Sequence, residues 1–159
     1  MVQPEYSVIV PAYQAADVIG DCVRALVRQT VDRARYEIIV VDDGSTDATG
    51  DMAREAGADR VLCVLHGGPS TARNAGIKAA LGEILLFTDA DCEPAEDWIA
   101  QMVMPLADPQ IMGVKGTYRT RQASLIARLV QLEFEIRYAR MAALERIDFI
   151  DTYAAAYRR

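Results

Sequence analysis

The sequence predicts an α/β fold in which a mainly parallel sheet is flanked by helices. Short apolar runs of strand length alternate with segments whose apolar residues recur at helical spacing. Glycine and proline residues separate most of these segments, which places turns between them. Strands that alternate with single helices form right-handed βαβ units, and these units build parallel sheets. The 159 residues are enough for one domain with a hydrophobic core.

The first part of the chain carries the regular alternation. Its predicted elements are a strand over 6–11, a helix over 16–29, a strand over 37–43, a helix ending at 56, a strand over 60–65, a helix over 70–81 and a strand over 84–88. We expect Ser45 or Thr46 to cap the second helix, because hydroxyl oxygens accept from free N–H groups at helix starts. Gly57 is a natural end for that helix.

The alternation is looser after residue 94. Predicted elements there are a helix over 94–106 with Trp98 on its inner face, a strand over 111–120, an amphipathic helix over 123–145 and an extended segment over 147–157. The amphipathic helix could lie on a membrane surface, but Glu133 and Glu135 disfavour an electrostatic anchor. We therefore expect this helix to pack on the core or on a second copy of the chain.

Composition and charge exclude several classes of protein. Residues 1–111 carry 8 basic and 18 acidic side chains, whereas 112–159 carry 9 and 5, for a net charge of −6. An acidic protein binds nucleic acid poorly, because phosphate neutralisation dominates that affinity. No apolar run is long enough to span a bilayer. Three scattered cysteines indicate reduced thiols, so we expect a cytoplasmic protein, with peripheral contact at the inner face of a membrane as an option.

Two carboxylates follow the apolar strand over 84–88. In an extended chain Asp89 and Asp91 would point to the same side, so both could bind one cation. Carboxylate oxygens favour Mg²⁺ or Mn²⁺, and Mg²⁺ is commonly shared with substrate phosphates. The same two residues also fit a solvated acidic turn.

Ligands of parallel sheets bind beyond the carboxyl ends of the strands. Four predicted loops meet at that edge, namely 11–13, 42–45, 66–69 and 88–91. Arg73 and Asn74 lie on the helix that follows the third loop, and a helix start beside an arginine suits phosphate oxygens. Asp43 could accept hydrogen bonds from a base or a ribose, or could belong to a helix-capping turn. His66 is expected to be a turn residue with a local partner.

Other nucleotide-binding classes fit less well. A dinucleotide-binding domain requires Gly-x-Gly-x-x-Gly after the first strand, where this chain has Pro11-Ala12-Tyr13-Gln14. A Walker A loop is also absent from the sequence. A phosphoacceptor receiver domain would carry its acidic pair after the first strand, whereas this pair follows the second.

Four segments in order carry a family resemblance: VIVPAY at 8–13, VVDDGSTD at 40–47, GPSTARNAG at 68–76 and TDAD at 88–91. The chain resembles the GT-A inverting glycosyltransferases, the group related to the cellulose, chitin and hyaluronan synthases. The resemblance implies a GT-A fold, a nucleotide-diphospho-sugar donor and a divalent metal, Mg²⁺ or Mn²⁺. It implies a UDP-sugar ahead of GDP- or dTDP-sugars, and a saccharide or lipid-linked acceptor.

The resemblance also implies roles for individual residues. Pro11, Ala12 and Tyr13 would line the nucleobase pocket, and Asp43 would bond the base. Arg73 would lie by the nucleotide. Asp89 would reach the ribose or sugar, and Asp91 would hold the metal. The other predicted donor-site residues are Ser45, Gly68 and Asn74.

The general base of the family is an aspartate in a later Glu-Asp segment, which does not occur after Ile147. Asp148 and Asp151 are candidates by position only, so we expect the base beyond Arg159. The chain is then a single, incomplete domain, with donor binding in 1–111 and the start of the acceptor side in 112–159. Two alternatives stay open: a nucleotide-sugar-binding module without turnover, and a nucleotidyltransferase.

Overall fold

The computed structural model describes residues 3–120, 122–144, 147 and 150–159. The strands are β1 (Tyr6–Ala12), β2 (Tyr36–Asp42), β3 (Arg60–Cys63), β4 (Ile84–Thr88), β5 (Gly113–Lys115) and β6 (Ala154–Arg158). The α-helices are α1 (Ile19–Val27), α2 (Thr49–Glu55), α3 (Pro69–Ala79), α4 (Trp98–Val103) and α5 (Leu125–Ala142). Short 3₁₀ turns span Arg33–Arg35 and Met104–Ala107.

The strands form one six-stranded sheet in the order β3-β2-β1-β4-β6-β5. β1 to β4 run parallel to one another, and β6 lies antiparallel between β4 and β5. The register pairs Ala12 with Asp42 and Asp42 with Cys63. The carboxyl ends of β1, β2 and β3 therefore lie side by side, and the α/β prediction with a mainly parallel sheet is confirmed.

Alternate residues of the central strands fill two hydrophobic clusters. Val8, Val10 and Val40 pack with α1, α2 and α4, whereas Ile9 and Ile39 pack with α3 on the other face. This alternation follows from the two-residue period of a strand, and both faces are apolar because helices cover both. The core thus holds the sheet in place, and with it the loops at the carboxyl ends of its strands.

Helix α3 lies close to β1 because Gly76 has no side chain. A Cβ atom at this position would lie 2.5 Å from Cγ2 of Ile9. Real Cβ atoms do not approach other atoms this closely, so any larger residue would displace the helix. The close contact also fixes where Arg73, one turn earlier on α3, meets the edge of the sheet.

Several predicted boundaries were wrong. The strand predicted over 60–65 ends at Cys63, and the one predicted over 111–120 covers only Gly113–Lys115. The helix predicted over 94–106 starts at Trp98 and changes to a 3₁₀ turn at Met104. Pro105 follows directly, and a proline inside a helix removes a hydrogen bond and clashes with the preceding turn. The expectation that Trp98 packs against the core is confirmed.

The cap predicted for α2 was also wrong. The helix starts at Thr49, and neither Ser45 nor Thr46 caps it. The Asp47 carboxylate instead accepts from the backbone N–H and the hydroxyl of Thr49, at 3.0 and 2.5 Å. The hydrogen bond from the Thr49 hydroxyl lowers the pKa of Asp47. An aspartate near a helix start also complements the helix dipole.

The prediction for the last helix was half right. Helix α5 forms, but none of its residues is buried, so the expected packing on the core is wrong. Apolar side chains stand exposed along its first half: Leu125, Ile126, Leu129, Val130 and Leu132. The helix is held through its second half, where Phe134 contacts Tyr118 and Tyr153 edge-to-face and Tyr138 shares a hydrogen bond with Tyr153.

Candidate functional site

A cavity of about 520 Å³ opens at the carboxyl ends of β1, β2 and β4. Its lining comes from the four loops that the sequence placed at this edge, together with the start of α3. The lining residues are Pro11, Ala12, Tyr13, Gln14, Ala15, Val18, Asp43, His66, Gly68, Pro69, Ala72, Arg73, Asp89, Ala90 and Asp91. A volume of this size is typical of small-ligand sites.

Gln14 joins the loop after β1 to the loop after β2. Its side-chain oxygen accepts from the backbone N–H of Thr46 and Asp47, at 2.9 and 3.3 Å. Its own backbone N–H donates to the hydroxyl of Ser45 at 3.0 Å. Gln14 has φ +49°, a left-handed conformation that non-glycine residues adopt at a cost. The hydrogen bonds to the second loop hold this conformation.

Asp43 organises the loop that precedes α3. Its carboxylate is almost fully buried and accepts from the backbone N–H of Gly67 at 3.0 Å and of Gly68 at 2.8 Å. Nδ1 of His66 lies 3.0 Å from both the carboxylate and the backbone carbonyl of Asp43. Gly44 permits this close approach of the two loops. It has φ +75°, and a Cβ atom at this position would lie 2.9 Å from the backbone nitrogen of His66.

Two aromatic rings form one wall of the cavity. The rings of Tyr13 and His66 are stacked, with centroids 4.2 Å apart and planes inclined by 29°. Both side chains are about half exposed, so the pair presents a flat surface to the cavity. Flat apolar surfaces of this kind suit planar ligands. The sequence predicted a local partner for His66 within its own turn. The observed partner of its Nδ1 is Asp43, which lies 23 residues earlier in the chain.

Arg73 and Asp89, which also line the cavity, form an ion pair. Nη2 of Arg73 lies 2.6 Å from Oδ1 of Asp89, and the arginine side chain is only 15% exposed. Nε of Arg73 is buried and has no hydrogen-bond partner among the described residues. A buried N–H without an acceptor is costly in a protein.

Asp89 and Asp91 lie in a turn and do not extend the strand, contrary to the geometry expected from the sequence. β4 ends at Thr88, and the backbone N–H of Cys92 donates to the Asp89 carbonyl at 3.1 Å. The Cys22 thiol donates to the same carbonyl at 3.5 Å, which ties the turn to α1. Asp91 is exposed at the mouth of the cavity. Both carboxylates border the same space.

The carboxylates at this mouth fit a shared metal better than a protein-enclosed one. Among the described residues, no cluster of three or more His, Cys, Asp or Glu side chains could enclose an ion. Mg²⁺ and Mn²⁺ accept carboxylate oxygens and often take their remaining ligands from substrate phosphates. Asp91, with Asp89 beside it, supplies oxygens of the right chemical type.

The cavity gathers most, but not all, of the predicted donor-site residues. Eight line it: Pro11, Ala12, Tyr13, Asp43, Gly68, Arg73, Asp89 and Asp91. Ser45 and Asn74 lie outside the lining. The Ser45 hydroxyl accepts from Gln14, and Asn74 is exposed on α3. The sequence did not predict that Gln14 and Val18 line the cavity, because neither residue carries a charge or stands at a motif position.

A second cavity, of about 960 Å³, shares Asp91 with the first. Trp98, Tyr118, Tyr153 and Ile126 contribute to its lining. It therefore continues from Asp91, at the mouth of the first cavity, toward the part of the chain that contains α5. None of the helices in the described ranges is both long and apolar enough to cross a bilayer.

Two acidic residues, Asp148 and Asp151, were candidates for the general base. Asp148 lies outside the described residues. Asp151 is paired with the ammonium group of Lys115, whose side chain is 4% exposed. Burial raises the pKa of Asp151, but hydrogen bonds from Lys115 and Tyr153 outweigh it, so the net effect is a lowered pKa. A carboxylate of lowered pKa is a weak proton acceptor.

A mainly parallel sheet with a cavity and an acidic turn at its loop edge is the arrangement found in α/β proteins that bind ligands at the carboxyl ends of their strands. Comparison with known proteins narrows this class. Residues 7–159 match the model of Glycosyl transferase family 2, and the chain belongs to that family. Its fold is of the GT-A type, as the resemblance implied.

Relatives with known sequences or structures agree with this assignment. The chain is 37% identical over 118 residues to glycosyltransferase AglE of Haloferax volcanii, which covers 71% of this chain and 39% of that protein. The structure of mannosyltransferase PcManGT from Pyrobaculum calidifontis, in complex with GDP-Man and Mn²⁺, matches the whole chain with TM-score 0.75 and 30% identity, over 46% of its own length. S. aureus TarS 1-349 in complex with UDP-GlcNAc matches with TM-score 0.68 and 25% identity, over 76% of this chain and 36% of TarS. The chain thus spans less than half of each of these relatives.

Proposed function

We propose that this chain provides the donor-binding part of an inverting, metal-dependent glycosyltransferase. The protein would transfer a sugar from a nucleotide-diphospho-sugar to an acceptor hydroxyl. The observation that carries the proposal is the cavity at the loop edge of the sheet, where the largely buried Arg73 pairs with Asp89 and the carboxylate of Asp91 lies in the same lining. The GDP-Man and UDP-GlcNAc ligands of the two structural neighbours support the same donor class.

The residues of the cavity would divide the donor between them. Tyr13, with Pro11 and Ala12 beside it, would contact the nucleobase, and the buried carboxylate of Asp43 would accept from a base N–H. Arg73, which lines the cavity and is 15% exposed, would donate from its guanidinium group to an anionic group of the nucleotide. Gly68 directly precedes α3, and the free N–H groups in the first turn of that helix would also favour an anion. Ser45 would support the site through Gln14, whereas Asn74 is exposed on α3 outside the cavity lining and we assign it no contact with the donor.

Asp91 and Asp89 would hold the divalent metal, Mg²⁺ or Mn²⁺, together with the diphosphate of the donor. A bound metal of this kind offsets the charge that develops on a departing diphosphate. Asp89 is held by Arg73 at 2.6 Å, which keeps its carboxylate at the edge of the cavity. The Mn²⁺ in the complex of the Pyrobaculum neighbour is consistent with this assignment.

Inversion requires a base that removes the acceptor proton on the face of the sugar opposite the diphosphate. Asp151 is engaged by Lys115 and has a lowered pKa, so we do not assign the base to it. A module that binds nucleotide sugars without turnover is the second candidate function, and the engaged state of Asp151 is the observation that favours it. The acceptor would be a saccharide or a lipid-linked sugar reached through the second cavity.

Calorimetric titration with a nucleoside diphosphate tests donor binding in this chain. We expect the unmodified chain to bind at least tenfold more tightly with Mn²⁺ than with a chelator present. The variant Asp91→Asn should lose this enhancement and keep its thermal stability, because the side chain is exposed. Asp97→Asn is the matched control, since Asp97 is exposed and lies outside the cavity lining. Equal metal enhancement in the Asp91 and Asp97 variants would refute the metal assignment.

A further inference from the structure

We propose that Gln14 is a positioning residue for the base of the donor, because it holds in place the loop that presents Tyr13 to the cavity. The inference rests on the proposed function, in which Tyr13 and Asp43 contact the base. These two residues follow different strands, β1 and β2, so a base can contact both only if the two loops keep a fixed arrangement. Gln14 joins those loops.

Gln14 has a backbone conformation that its residue type disfavours. Its φ is +49°, and within the described ranges it is the one non-glycine residue with a positive φ. Glycine adopts such a φ without this cost. Strained backbone persists only where the surrounding contacts hold it, and it is concentrated at ligand sites. The strain therefore directs attention to the contacts of Gln14, which lines the cavity.

The contacts of Gln14 join the two loops in both directions. Its Oε1 accepts from the backbone N–H groups of Thr46 and Asp47 at 2.9 and 3.3 Å, and its Nε2 donates to the Thr46 hydroxyl at 3.0 Å. Its own backbone N–H donates to the Ser45 hydroxyl at 3.0 Å. The next two backbone N–H groups of the chain donate to side chains near the start of α2, at 2.8 and 3.1 Å.

Tyr13 directly precedes this joined segment. The backbone pairing of β1 with the second loop ends just before it, where the N–H of Asp43 donates to the carbonyl of Ala12 at 2.8 Å. The Tyr13 ring stacks on His66, and the residue is half exposed. Its backbone is held from the next residue, by the bonds of Gln14 to the second loop. A surface that is ordered before its ligand arrives costs less free energy to order on binding.

Three substitutions separate the side-chain bonds of Gln14 from its backbone strain. Gln14→Met has a similar length and no polar group to bond the loop, so it loses the side-chain bonds and keeps the strain. Gln14→Gly loses the same bonds and releases the strain. Gln14→Glu keeps oxygens that accept from the N–H groups of Thr46 and Asp47 and from the Thr46 hydroxyl. Gln101→Met is the matched control, because Gln101 is exposed and lies outside the linings of both cavities.

The measured quantity is the affinity for a nucleoside diphosphate divided by the affinity for pyrophosphate, both with Mn²⁺ and both by calorimetry. Pyrophosphate has no base, so this ratio follows the base contact and cancels changes shared with the diphosphate. UDP and GDP are both titrated, and the tighter one is used. We expect Gln14→Met and Gln14→Gly to lower the ratio about fivefold or more, which corresponds to an aligned loop in at most about a fifth of the molecules. Gln14→Glu and Gln101→Met should keep the ratio within about twofold.

The double variant Tyr13→Ala/Gln14→Met shows whether Gln14 acts through Tyr13. If it does, the double variant has about the same ratio as Tyr13→Ala alone, because the two effects are then not additive. Thermal unfolding shows which variants are folded, and Gln14→Gly decides the test if Gln14→Met does not fold. If neither folded, Gln14 would be required for folding and the inference would be overturned.

Three further results would overturn the inference: an unchanged ratio in folded Gln14→Met or Gln14→Gly, a clearly lowered ratio in Gln14→Glu, or additive effects in the double variant. It would also be wrong if the unmodified chain bound UDP and GDP no more tightly than pyrophosphate. In that case the metal and diphosphate part of the proposed function would still stand. If the unmodified chain bound neither the nucleotides nor pyrophosphate, the proposed function itself would fail.

Discussion

The substitution Asp43→Asn tests whether this buried carboxylate holds the candidate site together. The carboxylate accepts from the backbone N–H groups of Gly67 and Gly68, Nδ1 of His66 lies 3.0 Å from it, and its side chain is 3% exposed. An amide has one acceptor oxygen and adds two N–H donors, so at least one glycine N–H would face another donor. Weakening a hydrogen bond to a charged group costs about 1.5–3 kcal/mol, and an unsatisfied buried donor costs about 1–3 kcal/mol. Because these costs partly overlap, we expect a loss of about 3 kcal/mol of unfolding free energy.

Urea unfolding and thermal unfolding measure this loss. For a chain of this size, 1 kcal/mol corresponds to about 2–4 °C in Tm, so Tm should fall by about 6–12 °C. The matched control is Asp17→Asn, an exposed aspartate, which should change the free energy by less than about 0.5 kcal/mol. If Asp43→Asn were no more destabilising than the control, the hydrogen bonds of Asp43 would not hold the loop before α3.

Two further predictions concern the remaining titratable groups. Burial raises the pKa of the Cys22 thiol and raises that of Cys92 to about 11, whereas Cys63 is exposed, so iodoacetamide at pH 8 should alkylate Cys63 first. Mass spectrometry of the peptides checks this, and equal labelling of all three would contradict it. Asp151→Asn should cost about 3 kcal/mol at pH 7, because it removes the carboxylate that offsets the buried charge of Lys115. The pKa of Asp151 is lowered in the folded chain, so the stability that its carboxylate contributes is present above about pH 4 and is lost as the pH falls through the folded pKa. Urea unfolding at pH 7 and pH 3 should therefore show a smaller difference in unfolding free energy between the unmodified chain and the variant at pH 3.

The central sheet could be predicted from the sequence because its strands are marked locally. The runs over 6–11, 37–43 and 84–88 are apolar at nearly every position, as expected for strands covered on both faces. Each is followed by a loop, and the parallel order of the sheet brings those loops to one edge. The location of the cavity followed from this order alone. Strands near 60 and 113 were predicted too long, because the ends of short edge strands depend on pairing with neighbours and not on composition.

The contacts inside the candidate site could not be predicted, because they join residues that are distant in the sequence. Gln14 meets the loop after β2 more than thirty residues away, and Asp43 accepts from Gly67 and Gly68 across 24 and 25 residues. No periodic pattern encodes such contacts. The glycines gave the only sequence signal, since a loop closed by backbone N–H donors needs residues without side chains at the point of contact.

Helix α5 shows where periodicity itself gives a wrong answer. Leu125, Leu129, Leu132 and Ile136 recur at helical spacing and predicted a buried face, but Ile126 and Val130 are also apolar and lie between them. The helix therefore has no single apolar side for the core to cover, and all six of these side chains are exposed. Its fixed half is instead the aromatic half, through Phe134 and Tyr138, where contact depends on Tyr118 and Tyr153 from other segments. Apolar periodicity predicts a buried face when the opposite face is polar, and for this reason the part of the chain before residue 94 was predicted better than the segment that carries α5.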